Sequence, residues 1–589
     1  MFVSGNRVQF KYYRNRVNRE RKICRKKYFT AKVQHLKNTK PRQWWNAVKR
    51  ISGMTPSTGS EDLISQLAHI QCNDDLSSLD IANLINDSFL EPMNSFQCLH
   101  HPPPFEINSE VVHVSEQSMQ SALMKLNPRK ACGVDGIPNW LLKEYAEILA
   151  YPVSVIVNSS FAEQELPQAW KLADVVPVPK SKPITDINKH LRPISLTPAL
   201  SKIAEDFIVS RYLGPAVLKV IDPNQFGAIP KSSTVQALVS MFHQWAQATD
   251  SSGAAVRVIL FDYKKAFDLI DHHLLVTKLY GLSLPRGVAR WIVDFLVSRK
   301  QRVKLSIDCL SEWGPVPSGV PQGTKLGPWL FLLMINDLSV PDVLTWKYVD
   351  DTTIAEVVPK GAPSALQNAV TTVETWSSIN HMQLNADKCK ELIIDFKRNP
   401  HEFGPVVVNG TDLSVVDSAK ILGVTFSSNL RWNDHIHASI KKANKRLYFL
   451  VLLKRAGVPP DDIKNFYCTT IRPVLEYASP VFHHSLPQYL SAEIERVQKR
   501  ALAIISPLMS YDNNLDRFRL STLFSRRHEH CHALFDVISS PSHRLNSLLP
   551  PRHESHYSLR RNRKFTIPVL NTERFRNTYI PSMCREFNF

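Results

Sequence analysis

The chain has no paired cysteines, no long apolar run and almost no acid in its first fifty residues, and each shortage excludes something. Its nine cysteines are scattered singly, at 24, 72, 98, 132, 309, 389, 468, 531 and 584. No Cys-x2-Cys pair occurs, so a cysteine zinc knuckle is unsupported. An odd, dispersed count fits a reducing compartment, and the expected location is nucleus and cytoplasm. The longest apolar run, near Leu330 to Ile335, is too short to span a bilayer, so no membrane partner is expected. The N-terminus is basic but has no apolar core of a leader, so no signal peptide is expected. No internal repeat is visible.

What is abundant is positive charge. The formal net charge is +19 and the pI about 9.4, which favours a polyanionic partner, nucleic acid before anionic membrane. A hydrophobic share of 43% over 589 residues supports several packed domains and argues against global disorder. Residues 1–50 hold 16 Lys and Arg against a single acid, Glu20. Tyr12, Tyr13, Tyr28, Phe29, Trp44 and Trp45 interleave with these cations. Such a segment either tracks a phosphate backbone while its rings stack on bases, or is a solvated basic helix with a Trp anchor. The run Arg21 to Lys27 also fits a nuclear address.

Residues 1–52 therefore read as a basic aromatic connector. Residues 53–109, rich in Ser, Asn, Asp and Pro and ending in Pro102 to Pro104, read as a linker with one or two short helices, such as Asp80 to Phe89. From about 110 the pattern is globular, with helices expected from Ser115 to Leu126 and from Trp140 to Leu149. Strand signals lie at 173–179, 256–262, 346–356, 391–396 and 420–426. Asn409-Gly410 between apolar runs predicts a hairpin. Helical apolar spacing links Leu366, Val370, Val373 and Trp376, then Ile436, Ile440, Ala443 and Leu447, and finally Ile494, Val497, Ala501 and Ile504. Beyond about 435 the chain is expected to be almost wholly helical.

The tetrapeptide Tyr348-Val-Asp-Asp351 carries most of the chemical information. It sits in a strand-like context, and a further strand, Val258-Ile-Leu-Phe-Asp262, also ends in an acid. Adjacent aspartates alone usually cap a turn in water. Carboxylates delivered by separate strands to one point are what a pair of hard cations needs. Two such ions roughly 3.5–4 Å apart hold the attacking and leaving oxygens of an in-line phosphoryl transfer.

The surrounding motifs, in order, are Val175-Val-Pro-Val-Pro-Lys180 with Leu191-Arg-Pro-Ile-Ser-Leu196, then Phe261-Asp-Tyr-Lys-Lys-Ala-Phe-Asp268. Ser318-Gly-Val-Pro-Gln-Gly-Thr-Lys-Leu-Gly-Pro328, Tyr348-Val-Asp-Asp351, and Leu384-Asn-Ala-Asp-Lys388 leading to Ile421-Leu-Gly-Val424 complete the series. Together they resemble the reverse transcriptase of non-LTR (LINE-type) retrotransposons, over about residues 110–589. The resemblance implies an α/β right-hand polymerase: fingers, a palm with an antiparallel sheet, and a helical thumb. It places an N-terminal extension of the fingers at 110–160, fingers and palm at 161–430, the thumb at 431–510 and a basic C-terminal region at 511–589. It implies RNA-directed DNA synthesis with dNTPs, a template RNA, a DNA primer or target DNA, and two Mg2+ ions or Mn2+ in their place.

Residue by residue, the resemblance makes Asp262, Asp350 and Asp351 the catalytic, metal-binding carboxylates. Lys180 and Arg192 would neutralise the incoming triphosphate, and both side chains suit phosphate. Phe267 would lie under the sugar and exclude a 2′-hydroxyl. Gln322, between Gly319 and Gly323, would approach nucleotide or template. Lys388 would protonate the leaving pyrophosphate, and Leu422-Gly423 would form a primer-grip hairpin. The chain departs from the family at Leu191, where Tyr is frequent, and at Thr324, where Ser is usual. Relatives carry an upstream apurinic-type endonuclease. Residues 1–108 do not read as one and 7–53 resemble the connector that follows it, so a truncated element served by a separate endonuclease is expected. An inactive or domesticated nucleic-acid-binding remnant is the alternative. An RNA-copying RNA polymerase is disfavoured by Phe267 and by Val349, where Gly would be usual.

Overall fold

The computed structural model describes residues 7–36, 46, 77–100, 112–180, 183–250, 253–552 and 564–588. Trp44, Trp45, Pro102 to Pro104 and most of the expected linker lie outside these. The basic segment begins as one helix, α1 (Arg7–Leu36), with Tyr12 and Tyr13 exposed on it. The helix expected near Asp80 is α2 (Ser78–Leu90), started by a capping box between Ser77 and Asp80. It is packed rather than free: Ile81, Ala82, Ile85 and Phe89 share a small core with Val175 and Val303.

That core covers a four-stranded sheet of order β2-β1-β4-β5, formed by β1 (Leu172–Pro179), β2 (Leu191–Leu196), β4 (Lys300–Val303) and β5 (Gly314–Pro315). β1 and β2 are antiparallel, with Val178 opposite Arg192. Helices of this part of the chain are α3 (Glu116–Met124), α4 (Ala146–Glu163), α5 (Ala199–Ile208), α6 (Thr234–Ala248), α7 (His272–Tyr280) and α8 (Arg286–Leu296).

The second sheet has five strands in the order β11-β8-β3-β7-β6. They are β3 (Ala255–Phe261), β6 (Leu344–Tyr348), β7 (Asp351–Val358), β8 (Lys390–Ile394) and β11 (Ser414–Val415), with β3 antiparallel to both its neighbours. α9 (Leu326–Ile335) and α10 (Leu366–Ile379) pack against it from one side. β3 reads as a continuous apolar run because both its faces are covered. Val256 and Val258 join one core, Ile259 and Phe261 the other. Arg257 is buried within the run and donates to Glu391 on β8 at 2.6 Å, an ion pair whose side chains are 5% and 1% exposed.

The strand expected over 346–356 is two strands. The chain folds back at Val349-Asp350, leaving Tyr348 paired with Asp351. Asn409-Gly410 makes the expected hairpin between β9 (Val407–Val408) and β10 (Thr411–Asp412). A last hairpin, β12 (Ser418–Ile421) and β13 (Val424–Ser427), leads into the helices α11 (Asn433–Arg455), α12 (Gln488–Ile505), α13 (Leu523–Ile538) and α14 (Tyr579–Phe587). The architecture is the expected α/β one, with a central sheet that is antiparallel except where β11 pairs parallel to β8, and a helical C-terminal part.

The final residues return to the sheet layer. Asp250, after α6, accepts from the backbone N–H of Asn571 and Thr572 at 2.9 and 2.8 Å and from the Thr572 hydroxyl at 2.6 Å. Arg574 donates to the Thr249 carbonyl at 2.6 Å. Buried residues between Leu515 and Leu545 and between Phe565 and Cys584 share one apolar core with α6 and with the 433–505 helices. Among the described residues, no helix is long and apolar enough to cross a membrane.

Candidate active site

The register of the central sheet assembles the acids. Phe261 pairs with Thr352 in the antiparallel β3–β7 ladder, so one step further Asp262 stands opposite Asp351. Directly opposed residues in such a ladder have Cα atoms roughly 4.5–5.5 Å apart. Asp350 occupies the adjoining turn. The Asp262 carboxylate accepts from Asn385 Nδ2 at 3.1 Å, and Lys388 Nζ lies 3.6 Å from the same oxygen. The Asp262 carbonyl accepts from the Asn385 N–H at 2.8 Å, which ties the Leu384 to Lys388 motif to the strand end.

The turn that presents Asp350 is strained and held from outside. Val349 has φ +61°, a left-handed conformation that a β-branched residue adopts only at a cost of about 1–2 kcal/mol. Gln225, 1% exposed, supplies one side-chain oxygen to two donors: the Val349 N–H at 3.0 Å and the Gly227 N–H at 2.8 Å. Gly227 lies directly against the turn, since a Cβ there would come 2.4 Å from the Val349 nitrogen. Lys347 fixes the strand leading in: its buried ammonium donates to the carbonyls of Leu338 and Ile335 at 2.8 and 3.2 Å and pairs with Asp222 at 2.6 Å. Gln225, Gly227 and Lys347 were not singled out from the sequence. The one available signal was a lone glycine in Gln225-Phe-Gly227, with its partner turn more than a hundred residues away.

A prediction follows for Gln225→Ala. It removes the acceptor shared by two buried donors, which costs about 1–3 kcal/mol of stability, and it frees Val349 to leave the left-handed region. Any turnover at this site should fall by at least about tenfold while the nucleic-acid affinity expected from the chain's charge is kept. Steady-state kinetics beside a binding titration checks this, and a kcat within twofold of wild type would show that the clamp is dispensable.

The remaining motif residues ring the acids. Lys180 directly follows β1 and Arg192 is the second residue of β2, opposite Val178, so the two cations stand near each other at this end of the sheet. Burial and the neighbouring Arg192 lower the Lys180 pKa, while Asp268 and Asp262 oppose this. Arg192 likewise acts on Asp350. Phe267 is half-buried and stacks on Phe331 of α9, ring centroids 4.4 Å apart and planes 20° apart. Its carbonyl accepts from the Val320 N–H at 2.8 Å. Gln322 donates from Nε2 to Asp268 at 3.1 Å, and its carbonyl accepts from the Ser195 N–H at 2.9 Å. Gly319 has φ +80°, and a Cβ there would come 2.5 Å from the Asp268 carbonyl oxygen. That close approach is why a glycine precedes Gln322.

Two acids that brace this turn and the helix after it are not visible as such in the sequence. Asp268, beside Gln322, is pushed up to about 6 by burial, against the pull of Gln322, Lys265 and Lys180. Buried Glu205 caps α9, accepting from the N–H groups of Lys325 and Leu326 at 2.6 and 3.2 Å and from the Ser201 hydroxyl at 2.9 Å. At the other side, Leu422 and Gly423 form the two-residue turn of the β12–β13 hairpin, with φ +45° and +90°. The Leu422 carbonyl accepts from the Tyr477 hydroxyl at 2.6 Å, which fastens the hairpin to the helical half. Leu422, Lys388, Asp262 and Asp351 line one cavity of about 230 Å³.

The acids repel one another. Burial, then Asp350 and Asp262, push Asp351 up to about 6, and burial with the Asp262 charge raises Asp350. An all-oxygen donor set carrying this much uncompensated negative charge fits hard divalent ions. The unfolded Asp titrates near 3.8. Between that value and about 6 the folded chain keeps a proton that the unfolded chain has lost. Asp351 therefore favours the fold at low pH, and this contribution is lost as pH rises through about 6. Metal-free Asp351→Asn protein is accordingly expected to be more stable than wild type at pH 7.5, by roughly 1 kcal/mol once solvent screening is allowed for, and equal to it near pH 4. Saturating Mg2+ should stabilise wild type and not the variant. Thermal unfolding in chelator and in Mg2+ measures both, and identical melting temperatures throughout would refute the repulsion.

Residues 178–426 match the model of a family described as reverse transcriptase (RNA-dependent DNA polymerase). The chain is 28% identical over 421 residues to the RNA-directed DNA polymerase from mobile element jockey of Drosophila melanogaster, covering 68% of this chain and 45% of that protein. It is 24% identical to the probable RNA-directed DNA polymerase from transposon BS, covering 69% and 46%, and 25% identical to that from transposon X-element, covering 73% and 49%. Both are also from Drosophila melanogaster. The chain thus spans about half the length of the curated relatives it matches. Among solved structures, apo telomerase from Candida tropicalis, truncated from its C-terminal domain, aligns with a TM-score of 0.30 and 13% identity over 48% of this chain and 59% of that one.

Proposed function

We propose that the chain, whose residues 178–426 match the reverse transcriptase family and which is similar to non-LTR retrotransposon polymerases, extends a DNA primer with dNTPs on an RNA template. The observation that carries this reading is the opposition of Asp262 and Asp351 across two antiparallel strands, with Asp350 in the turn between β6 and β7. Asp262, Asp350 and Asp351 would hold two Mg2+ ions, or Mn2+ in their place. Bound there, the ions would activate the primer 3′-hydroxyl and offset charge on the departing pyrophosphate.

The chain's own residues do the rest. Lys180 and Arg192 clamp the triphosphate. Lys388 Nζ, 3.6 Å from Asp262, carries the proton that the leaving group takes up. Asn385 holds the Asp262 carboxylate in one rotamer through its 3.1 Å hydrogen bond. Phe267 faces the sugar, and the Leu422-Gly423 turn seats the primer end. The basic helix α1 adds sequence-blind attraction to template or target DNA, which weakens as salt rises.

The test is extension of a labelled DNA primer annealed to homopolymer RNA, with dNTPs and Mg2+. Labelled products longer than the primer are expected. Unextended primer in the presence of intact RNA binding would instead identify the chain as a nucleic-acid-binding remnant.

A further inference from the structure

Histidines from two separate segments and a glutamate from a third converge in the helical C-terminal part, far from the aspartates in sequence. His528 and His532 lie four residues apart on α13 and so share one face of that helix. This is the spacing by which a helix presents two imidazoles to zinc. Their Nε2 atoms are 3.1 Å apart. Glu586 on α14 places one carboxylate oxygen 3.2 Å from His532 Nε2 and the other 3.6 Å from His484 Nε2. The ligating atoms of His528, His532 and Glu586 all lie within 4.8 Å of one another, as do those of His483, His484 and His528.

Two further observations point to a ligand. Both ring nitrogens of His484 are buried without a hydrogen-bond partner, and so is Nδ1 of His483. A neutral imidazole keeps one bare lone pair, and a buried one normally accepts a hydrogen bond with it. The distances also have a natural scale. Zn–N bonds of about 2.0–2.1 Å put tetrahedral ligands about 3.3–3.4 Å apart. The separations of 3.1 Å between His528 and His532 and 3.2 Å between His532 and one Glu586 oxygen lie close to that edge. Glu586 adds a negative charge that offsets Arg527 and Arg585, whose charges act on His483 and His484.

We propose that His528, His532 and Glu586 bind one zinc-class divalent ion, with His484, grouped with His528, closing on it as the fourth ligand. Imidazole with one carboxylate suits Zn2+ and neighbouring transition metals, and offers too few oxygens for Mg2+ or Ca2+. Four protein ligands close the coordination sphere, which is the mark of a structural ion rather than one that activates water. It would fasten α14 to α13 and to the 483–484 segment. Glu529, the acid inside the His528 to His532 span, is exposed and acts on Arg526. It is therefore no partner of this site.

The experiment uses the full chain, equilibrated with Zn2+ in excess Mg2+ so that the aspartates stay occupied, then dialysed. Elemental analysis should find one zinc per chain, and Co2+ in its place should give the strong visible absorption of tetrahedral coordination. A His528→Gln/His532→Gln double variant should lose both signals. Glu586→Gln, a change at an exposed side chain, should weaken zinc binding by at least about 10–100-fold, the cost of losing even an outer-shell partner. Zinc should raise the melting temperature of wild type and leave the double variant unmoved. Wild type that retains no more zinc than the double variant, or that shows the same melting temperature with zinc and with chelator, would overturn the site. Circular dichroism of the zinc-free proteins separates ligand loss from misfolding, and wild-type stoichiometry decides the matter without any variant.

Discussion

Asp350→Asn is expected to abolish primer extension while leaving template binding nearly unchanged. The substitution keeps the size of the side chain and removes its charge. Asp350 lies in the turn that Gln225 and Gly227 hold in place, so the backbone has no reason to move. What is lost is one anionic ligand in a group of three that meet at the end of β3 and β7. A missing metal ligand removes several kcal/mol of transition-state stabilisation, which lowers the rate by at least about 10³-fold. Asp262→Asn should behave alike. It also relieves the repulsion that raises Asp350 and Asp351, so the variant should be no less stable than wild type without metal. Single-turnover extension beside a binding titration gives both numbers. Residual synthesis within tenfold of wild type would remove Asp350 from the metal site.

Phe267→Val should raise the use of ribonucleotides relative to deoxyribonucleotides by about 10–100-fold, the range that small changes of pocket shape produce. Phe331 backs one face of the ring, and the residue's backbone is pinned by the Val320 N–H, so the aromatic edge cannot swing aside. Valine opens space without disturbing that backbone. Loss of the stacked pair costs some stability, of the order of 1 kcal/mol, and some dNTP affinity. The shift should therefore appear chiefly in the rNTP terms. Insertion of dCTP and CTP opposite poly(rG) by both proteins measures it. If wild type uses both sugars equally, or the ratio does not move, Phe267 serves only the Phe331 stack.

The parts of this molecule that were legible in the sequence are those whose causes are local. β3 announced itself as an apolar run because both of its faces are covered, and the acid at its end was visible beside it. Asn409-Gly410 carried its own turn chemistry. The helices 366–379, 433–455 and 488–505 followed from apolar spacing. The break at Val349 was not legible, since a β-branched residue is a poor turn former and its support comes from Gln225. The packing of α2 against β1 and β4 escaped for the same reason: its apolar face was readable, its partners were not. The histidine cluster draws on positions 484, 528, 532 and 586, a grouping that only the folded chain creates. Asp268 and Glu205 looked like ordinary acids until Gln322 and the start of α9 were placed beside them.

The return of the last residues to α6 bears on how the protein is made. Synthesis runs from the N-terminus, and β3 with α6 leaves the ribosome some three hundred residues before Asn571, Thr572 and Arg574 exist to engage Asp250 and Thr249. During that interval His243, which ends up buried against Phe575, waits for that cover. Closing a loop of that length carries an entropic cost that only late contacts repay, so docking of the C-terminal segment belongs among the slow steps of folding. The nascent chain thus leaves part of α6 uncovered until residues 571–575 emerge, and expression should gain from chaperones that shield apolar surface over that interval.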